Sequence, residues 1–307
     1  MIAREYVAAG APTRSVLAIT GVPESTFYYK PKAGKRGRPA TTTTLDANGI
    51  VWAEEQLVAL IAAELEREFV DYGYLKITKW LRRKHKLLIN KKKVCRIMSE
   101  HGLLNTKPAR STAKKQWVKE LVPNPALPLT HLEFDIKYTH IHGIRRNAMM
   151  LTVLDVKSRY NVGWLLQWSI KKTDVVALFE DIQRSLPMVN RITVRSDNGS
   201  QFVSQMVREH FASHGIKHEF TRPATPEQNA HIESYHSIVE SAICRQYTFI
   251  DLHHANAVLG RWVQFYNHER IHSGVGYTSP AEFLSNNNVS LPQALMSTAQ
   301  MTAFSIN

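Results

Sequence analysis

Cysteine is nearly absent: the 307 residues hold two, Cys95 and Cys244, neither in a Cys-x-x-Cys pair nor in a Cys/His cluster of zinc spacing. That excludes a disulfide framework and argues against structural zinc, despite fourteen histidines. No apolar run approaches the ~18 residues that a membrane span needs. The opening Met1-Ile2-Ala3-Arg4-Glu5-Tyr6 lacks the apolar stretch of a signal peptide, so a cytoplasmic protein without a membrane partner is expected. Missing too are a GxSxG elbow, a Walker glycine loop and an HExxH pair, which leaves no ready protein nucleophile and no familiar zinc-hydrolase motif.

Acid is scarce in one half only. Residues 1–120 hold 23 Lys/Arg against 11 Asp/Glu, whereas the remainder holds 16 against 15, within a formal net charge of +13. A basic front joined to a nearly neutral back suggests a polyanion-binding segment, most simply for nucleic acid.

Residues 12–30 read as a short helix, a turn at Gly21 and a second helix opening near Pro23, the outline of a helix-turn-helix presenting Ser25, Thr26 and Tyr29. A basic Gly/Pro linker and a Thr run follow, completing a 1–45 segment. Residues 46–105 read as a basic three-helix domain. Leu57, Leu60, Ile61, Leu65 and Phe69 form one stripe. Ile77, Trp80 and Leu81 mark a second helix, and a third is capped by Asn90, buries Val94, Ile97, Met98 and Leu103, and closes at Gly102. Lys76, Lys79, Arg82, Arg83, Lys91, Lys92, Lys93 and Arg96 occur with no acid among them, which suits phosphate tracking, and the third helix is the natural groove reader. Residues 106–130 read as a basic, Pro-containing linker, and 291–307 as a tail.

From 131 to 290 the pattern is three strands in an antiparallel meander, a helix, a strand ending at Asp197, a helix, a short strand, and a long helix from near Pro226 towards Tyr247. That order is α/β, an RNase H-like core with a mixed five-stranded sheet, preceded by small all-α DNA-binding domains. Three acids stand out. Asp197 ends a strand just before the Asn198-Gly199 turn. Asp135 sits mid-strand between Phe134 and Ile136, where a carboxylate is costly unless neutralised. Glu233 lies two turns into the last helix, with thirty-five residues between it and Asp197. Their convergence would suit two Mg²⁺ ions, hard cations that take carboxylate oxygens, in an in-line phosphoryl displacement. Other polar groups have plainer readings. Asp155 reads as a turn former before Ser158-Arg159, Glu133 as a partner for a basic side chain, and His231 and His236 as surface residues. Asn229 orients Glu233 or touches DNA, or else caps the helix. Trp262, Phe265 and Tyr266 read as the core stripe of a helix covering the sheet.

Phe134-Asp135-Ile136-Lys137-Tyr138, the Ser196-to-Phe202 block and Pro226-Glu227-Gln228-Asn229-Ala230-His231-Ile232-Glu233-Ser234-Tyr235, with Tyr266-Asn267-His268-Glu269-Arg270 and Tyr277-Thr278-Ser279-Pro280 beyond, resemble the DDE transposase/integrase core. The nearest likeness is to the insertion-sequence IS-three group, in its second-frame product. The resemblance implies an Mg²⁺-dependent polynucleotidyl transferase, with Mn²⁺ able to substitute, in which Asp135, Asp197 and Glu233 are both catalytic and metal-binding. It implies double-stranded DNA partners (element ends and target), a homodimer on paired ends, a nucleoid-associated location and an upstream-frame product as a further partner. Two positions depart from the pattern. Relatives usually carry Lys or Arg seven residues after the catalytic Glu, where this chain has Glu240, and often Thr where Lys137 stands. A DNA-binding repressor that has lost its chemistry and a nuclease that cuts without joining are the competing readings.

Overall fold

The computed structural model describes residues 2–30, 40–104, 122–185, 192–222 and 226–289. Two compact units result, 1–41 and 42–307. In the first, helices α1 (Ile2–Ala8), α2 (Thr13–Thr20) and α3 (Glu24–Phe27) follow one another. Gly21 closes α2 in the left-handed conformation that only glycine adopts cheaply (φ 64°). The second helix of the expected helix-turn-helix is a single turn of four residues, and Tyr29 lies beyond it. The basic linker at 31–39 lies outside the described residues.

The second unit opens on a hairpin that the Thr run concealed, β1 (Thr43–Leu45) against β2 (Val51–Ala53). Helices α4 (Glu54–Leu65), α5 (Tyr74–Lys84) and α6 (Lys91–Glu100) follow, so the module is helical with a β-hairpin rather than purely helical. Asn90 Oδ1 accepts the Lys93 N–H at 3.0 Å, the N-cap bond its sequence position demands. Leu57, Ile61, Ile77, Leu81, Val94, Ile97 and Met98 are fully buried between the helices. Of the 106–130 linker, residues 106–121 lie outside the described set, as does the 291–307 tail.

Strands β3 (His131–Ile141), β4 (Arg146–Asp155), β5 (Asn161–Gln167), β6 (Thr193–Ser196) and β7 (Lys217–Phe220) form one sheet in the order β5-β4-β3-β6-β7. β3 is central, antiparallel to β4 and parallel to β6. This is the mixed five-stranded RNase H-like sheet. Both faces are covered, which is why β4 reads as a near-continuous apolar run. One face packs Phe134, Leu151 and Val153 against α7 (Lys172–Ser185) and α8 (Gln205–Ser213). The other packs Met150, Leu154 and Trp164 against α9 (Ala230–Val239) and α10 (Leu252–His268), whose Trp262 and Tyr266 are fully buried core as their spacing implies. The long helix expected from 226 is three pieces: a 3-10 turn at Pro226–Asn229, then α9, then a π-turn at Glu240–Cys244. A last helix, α11 (Pro280–Asn286), follows.

The helical module docks on the core through ionic contacts. Arg270, almost wholly buried, pairs with Asp71, Arg67 with Glu269, and Arg83 with Glu282. The Tyr72 hydroxyl accepts the Ile271 N–H, and burial pushes that phenol up to about 12.

Candidate active site

The sheet register assembles the acids. β3 and β6 run parallel with Glu133 beside Arg195, so one alternation further along each chain sets Asp135, midway along β3, beside Asp197, just past the carboxyl end of β6. Asp197 lies just past β6, where its Oδ1 accepts the Gly199 N–H at 2.9 Å, and Asn198 Nδ2 donates to Thr221 O at 2.9 Å to fasten the turn to β7. Any Cβ at Gly199 would stand 3.1 Å from that same carboxylate oxygen and 3.2 Å from the buried Phe202 ring, so the turn admits glycine only without displacement.

The third acid comes from α9, which lies along β3. Glu233 occupies the exposed flank of that helix. Asp135 registers both other acids: burial first, then the charges of Asp197 and Glu233, push its carboxyl up to about 7. Its Oδ2 lies 3.6 Å from His236 Nδ1, and burial drives that imidazole down to about 4, so it stands neutral. Three like charges thus gather without a full cationic counterweight on Asp135 among the described residues. They are not drawn in to ligand spacing; no group of three His, Cys, Asp or Glu among the described residues is.

Beneath the acids lies a group whose role sequence alone missed. Glu133 is completely buried, and its Oε2 accepts the His231 and Ile232 N–H groups at 3.1 and 2.9 Å. It therefore holds the N-terminus of α9, where a carboxylate also meets the positive end of the helix dipole. The expected basic partner is present only at longer range, as the fields of Arg195 and Arg159, while burial pushes the carboxyl up to about 7. Arg195 donates to Gln228 O and Glu219, tying the approach to α9 to β6 and β7. His231 and His236 are half-buried rather than turned out to solvent, the ring of the former placing Nε2 3.2 Å from Pro123 O and the latter facing Asp135. Asp155 is the turn former its position suggested: it is buried and accepts from the backbone N–H groups of Leu129 and Ser158 at 2.9 and 2.7 Å. Asn229 is buried and makes no capping bond with its side chain, which removes the capping alternative.

Residues 125–226 match the integrase core domain family, 214–280 match a second integrase core domain model, and 52–110 match the HTH-like domain. The chain thus matches the integrase core over its second half and the HTH-like domain ahead of it. It is 28% identical over 239 residues to an insertion element IS476 protein of 39.2 kDa from Xanthomonas euvesicatoria, covering 75% of this chain and 65% of that one. Identity is also 28% to an insertion element IS407 protein of 31.7 kDa from Burkholderia multivorans, at 75% and 81% coverage. The transposase for insertion sequence element IS904 of Lactococcus lactis is 27% identical over 137 residues, 44% of this chain and 54% of that one. The chain thus spans just under two thirds of the first of these relatives. Among solved structures, the HTLV-2 integrase catalytic core domain in complex with magnesium aligns with a TM-score of 0.41 at 14% identity, over 52% of this chain and 99% of that one.

The two departures from the sequence pattern, at Lys137 and Glu240, meet each other. Lys137 Nζ lies 2.8 Å from Glu240 Oε2, and Arg245 approaches Glu240 Oε1 at 3.5 Å. The helical module's cations divide in two. Arg96 is held by Glu54 and Glu100, Arg83 by Glu282 and the Tyr277 carbonyl, Arg82 by the Ile89 carbonyl, and Lys93 by the Thr43 carbonyl. Lys79 and Lys76 lie over the Tyr277 and Tyr72 rings. Lys91 and Lys92 are exposed on the first turn of α6.

Proposed function

We propose that the chain binds the ends of a mobile DNA element and catalyses metal-dependent cleavage and transfer of a DNA strand. The observation that carries this is the nearness of Asp135, on the central strand, to Asp197, at the end of its parallel neighbour, and to Glu233, on the helix that lies along β3. The donor set fits Mg²⁺. Three carboxylates offer hard oxygen ligands, and the Asp135 carboxyl is pushed up to about 7 by burial and by its two neighbours, a penalty that a cation offsets. Asp135, Asp197 and Glu233 would hold two such ions, which when bound activate an attacking oxygen and steady the leaving one.

The protein's own work is placement. The Asn198-Gly199 turn fixes Asp197, Glu133 fixes the helix that presents Glu233, and the neutral His236 covers the inner edge of Asp135. Residues 46–105 track the DNA backbone through Lys91 and Lys92 on α6, and residues 131–290 carry the chemistry, with two copies acting on paired ends. No helix among the described residues is long and apolar enough to cross a membrane.

The test is an end-containing DNA substrate with Mg²⁺, comparing the wild type with Asp197→Asn. Joined product that disappears in the variant supports the proposal. Cutting without joining assigns a nuclease, and binding with no metal-dependent product assigns a DNA-binding protein without chemistry.

A further inference from the structure

We propose that Lys137 is the phosphate-binding cation of the acid site, held ready by Glu240 and released to the DNA backbone when a strand enters over Asp135. This rests on the acid site being the DNA-processing site, and it adds a residue and a hand-over to it.

The first support is a match of repeats. Glu133, Asp135 and Lys137 share one face of β3 at intervals of two residues, about 6.6 Å each. Along α9 and its extension, Ile232, His236 and Glu240 recur every four residues, about 6 Å each. The two repeats nearly coincide, so strand and helix meet in rungs: Glu133 with the Ile232 N–H, Asp135 with His236, Lys137 with Glu240. The lysine is therefore one rung beyond the acid, on the same face of the sheet.

The second support is energetic. The Lys137 side chain is 17% exposed and that of Glu240 is 38% exposed. The carboxylate is the more exposed partner and the ammonium the more buried, so the lysine needs an anion beside it while the pair keeps an open side to water. The pair is thus open enough to exchange partners, since a DNA phosphate offers the same ammonium another anionic acceptor. Glu240 keeps Arg245 when Lys137 departs. The helix switches to a π-turn at Glu240, a local widening that is frequent at functional sites.

The experiment measures the affinity of the full chain for a fluorescein-labelled DNA duplex between roughly 50 and 200 mM salt, in EDTA so that no chemistry occurs. The decisive variant is the double Lys137→Gln/Glu240→Gln, which leaves net charge unchanged and removes both partners of the pair together. With the lysine no longer neutralising a phosphate, the steepness of the log affinity against log salt plot falls by about 0.9. Glu240→Gln alone keeps the wild-type slope, and Lys217→Gln, at the opposite end of the parallel strands, keeps it too. The reversed pair Lys137→Glu/Glu240→Lys recovers the slope through a lysine on the helix. A double variant with the wild-type slope and wild-type thermal stability overturns the proposal, as does a Lys217→Gln loss equal to that of the double. Binding in EDTA is independent of strand joining, so an absence of joined product would refute the proposed function without touching this result.

Discussion

Removing Glu133 tests whether a buried carboxylate below the site sets the position of an acid above it. Glu133→Ala leaves two backbone N–H groups at the start of α9 without an acceptor, one buried and one half-buried. Each unsatisfied buried donor costs about 1–3 kcal/mol. The sum is offset in part because a carboxyl this deeply buried is costly to ionise. The expected net loss is about 2–4 kcal/mol, read by urea unfolding at neutral pH. Glu133→Gln keeps a carbonyl oxygen in the same place and should lose less than about 1.5 kcal/mol, the difference between a charged and a neutral acceptor. The functional readout follows the same order: with the first turn of α9 unpinned, Glu233 shifts relative to Asp135, and metal-dependent cleavage falls at least tenfold in Glu133→Ala while Glu133→Gln keeps most of it. If Glu133→Ala unfolds within about 0.5 kcal/mol of the wild type and cleaves DNA at the wild-type rate, the pin does not exist as described.

Gly199→Ala should leave global stability within about 1 kcal/mol yet cut cleavage severely, because the new methyl group presses on the Asp197 carboxylate; equal activity in a gel-based assay would contradict this. Burial drives His218 down to about 4, below its ordinary 6.5. The unfolded chain then binds the extra proton, so stability is complete above pH 6.5 and declines by up to about 3 kcal/mol as pH falls to 4. His218→Phe should flatten that part of the acid limb in pH-dependent unfolding. Lys91→Gln and Lys92→Gln should each lower the salt slope of DNA binding by about 0.9, whereas Arg96→Gln should mainly destabilise the helical module by stranding Glu54. Arg270→Met should cost up to about 3–5 kcal/mol, because it breaks the ion pair that the almost wholly buried guanidinium makes with Asp71.

The sheet and its acids were legible because each leaves a local mark. Asp135 breaks an apolar alternation, Asp197 precedes an Asn-Gly turn, and Asn90 precedes an apolar-periodic helix, so a window of ten residues is enough to find them. The hairpin at 43–53 was hidden because a run of threonines reads as readily as linker as it does as strand, and its apolar partner strand is only three residues long and runs straight into α4. The half-burial of His231 and His236 was hidden because histidine's composition signal is the same in a core and on a surface. Long-range partners escaped for a different reason: Arg83 finds Glu282, and Arg96 finds Glu54, across sequence distances that no periodicity spans. Glu240 shows the limit most clearly. Taken alone it places the wrong charge beside the helix that carries Glu233; taken with Lys137 across the rung, the cation is still present and stands on the strand.

The most direct measurement is the yield of joined DNA product in Mg²⁺ from the wild type, from Asp135→Asn, Asp197→Asn and Glu233→Gln, and from their pairwise combinations. One shared site predicts that each single variant drops to background and that no pair is worse than its members, since groups acting as a unit are grossly non-additive. A single variant that keeps substantial joining, or a pair whose loss is the product of two partial losses, would show that the three carboxylates do not form one site.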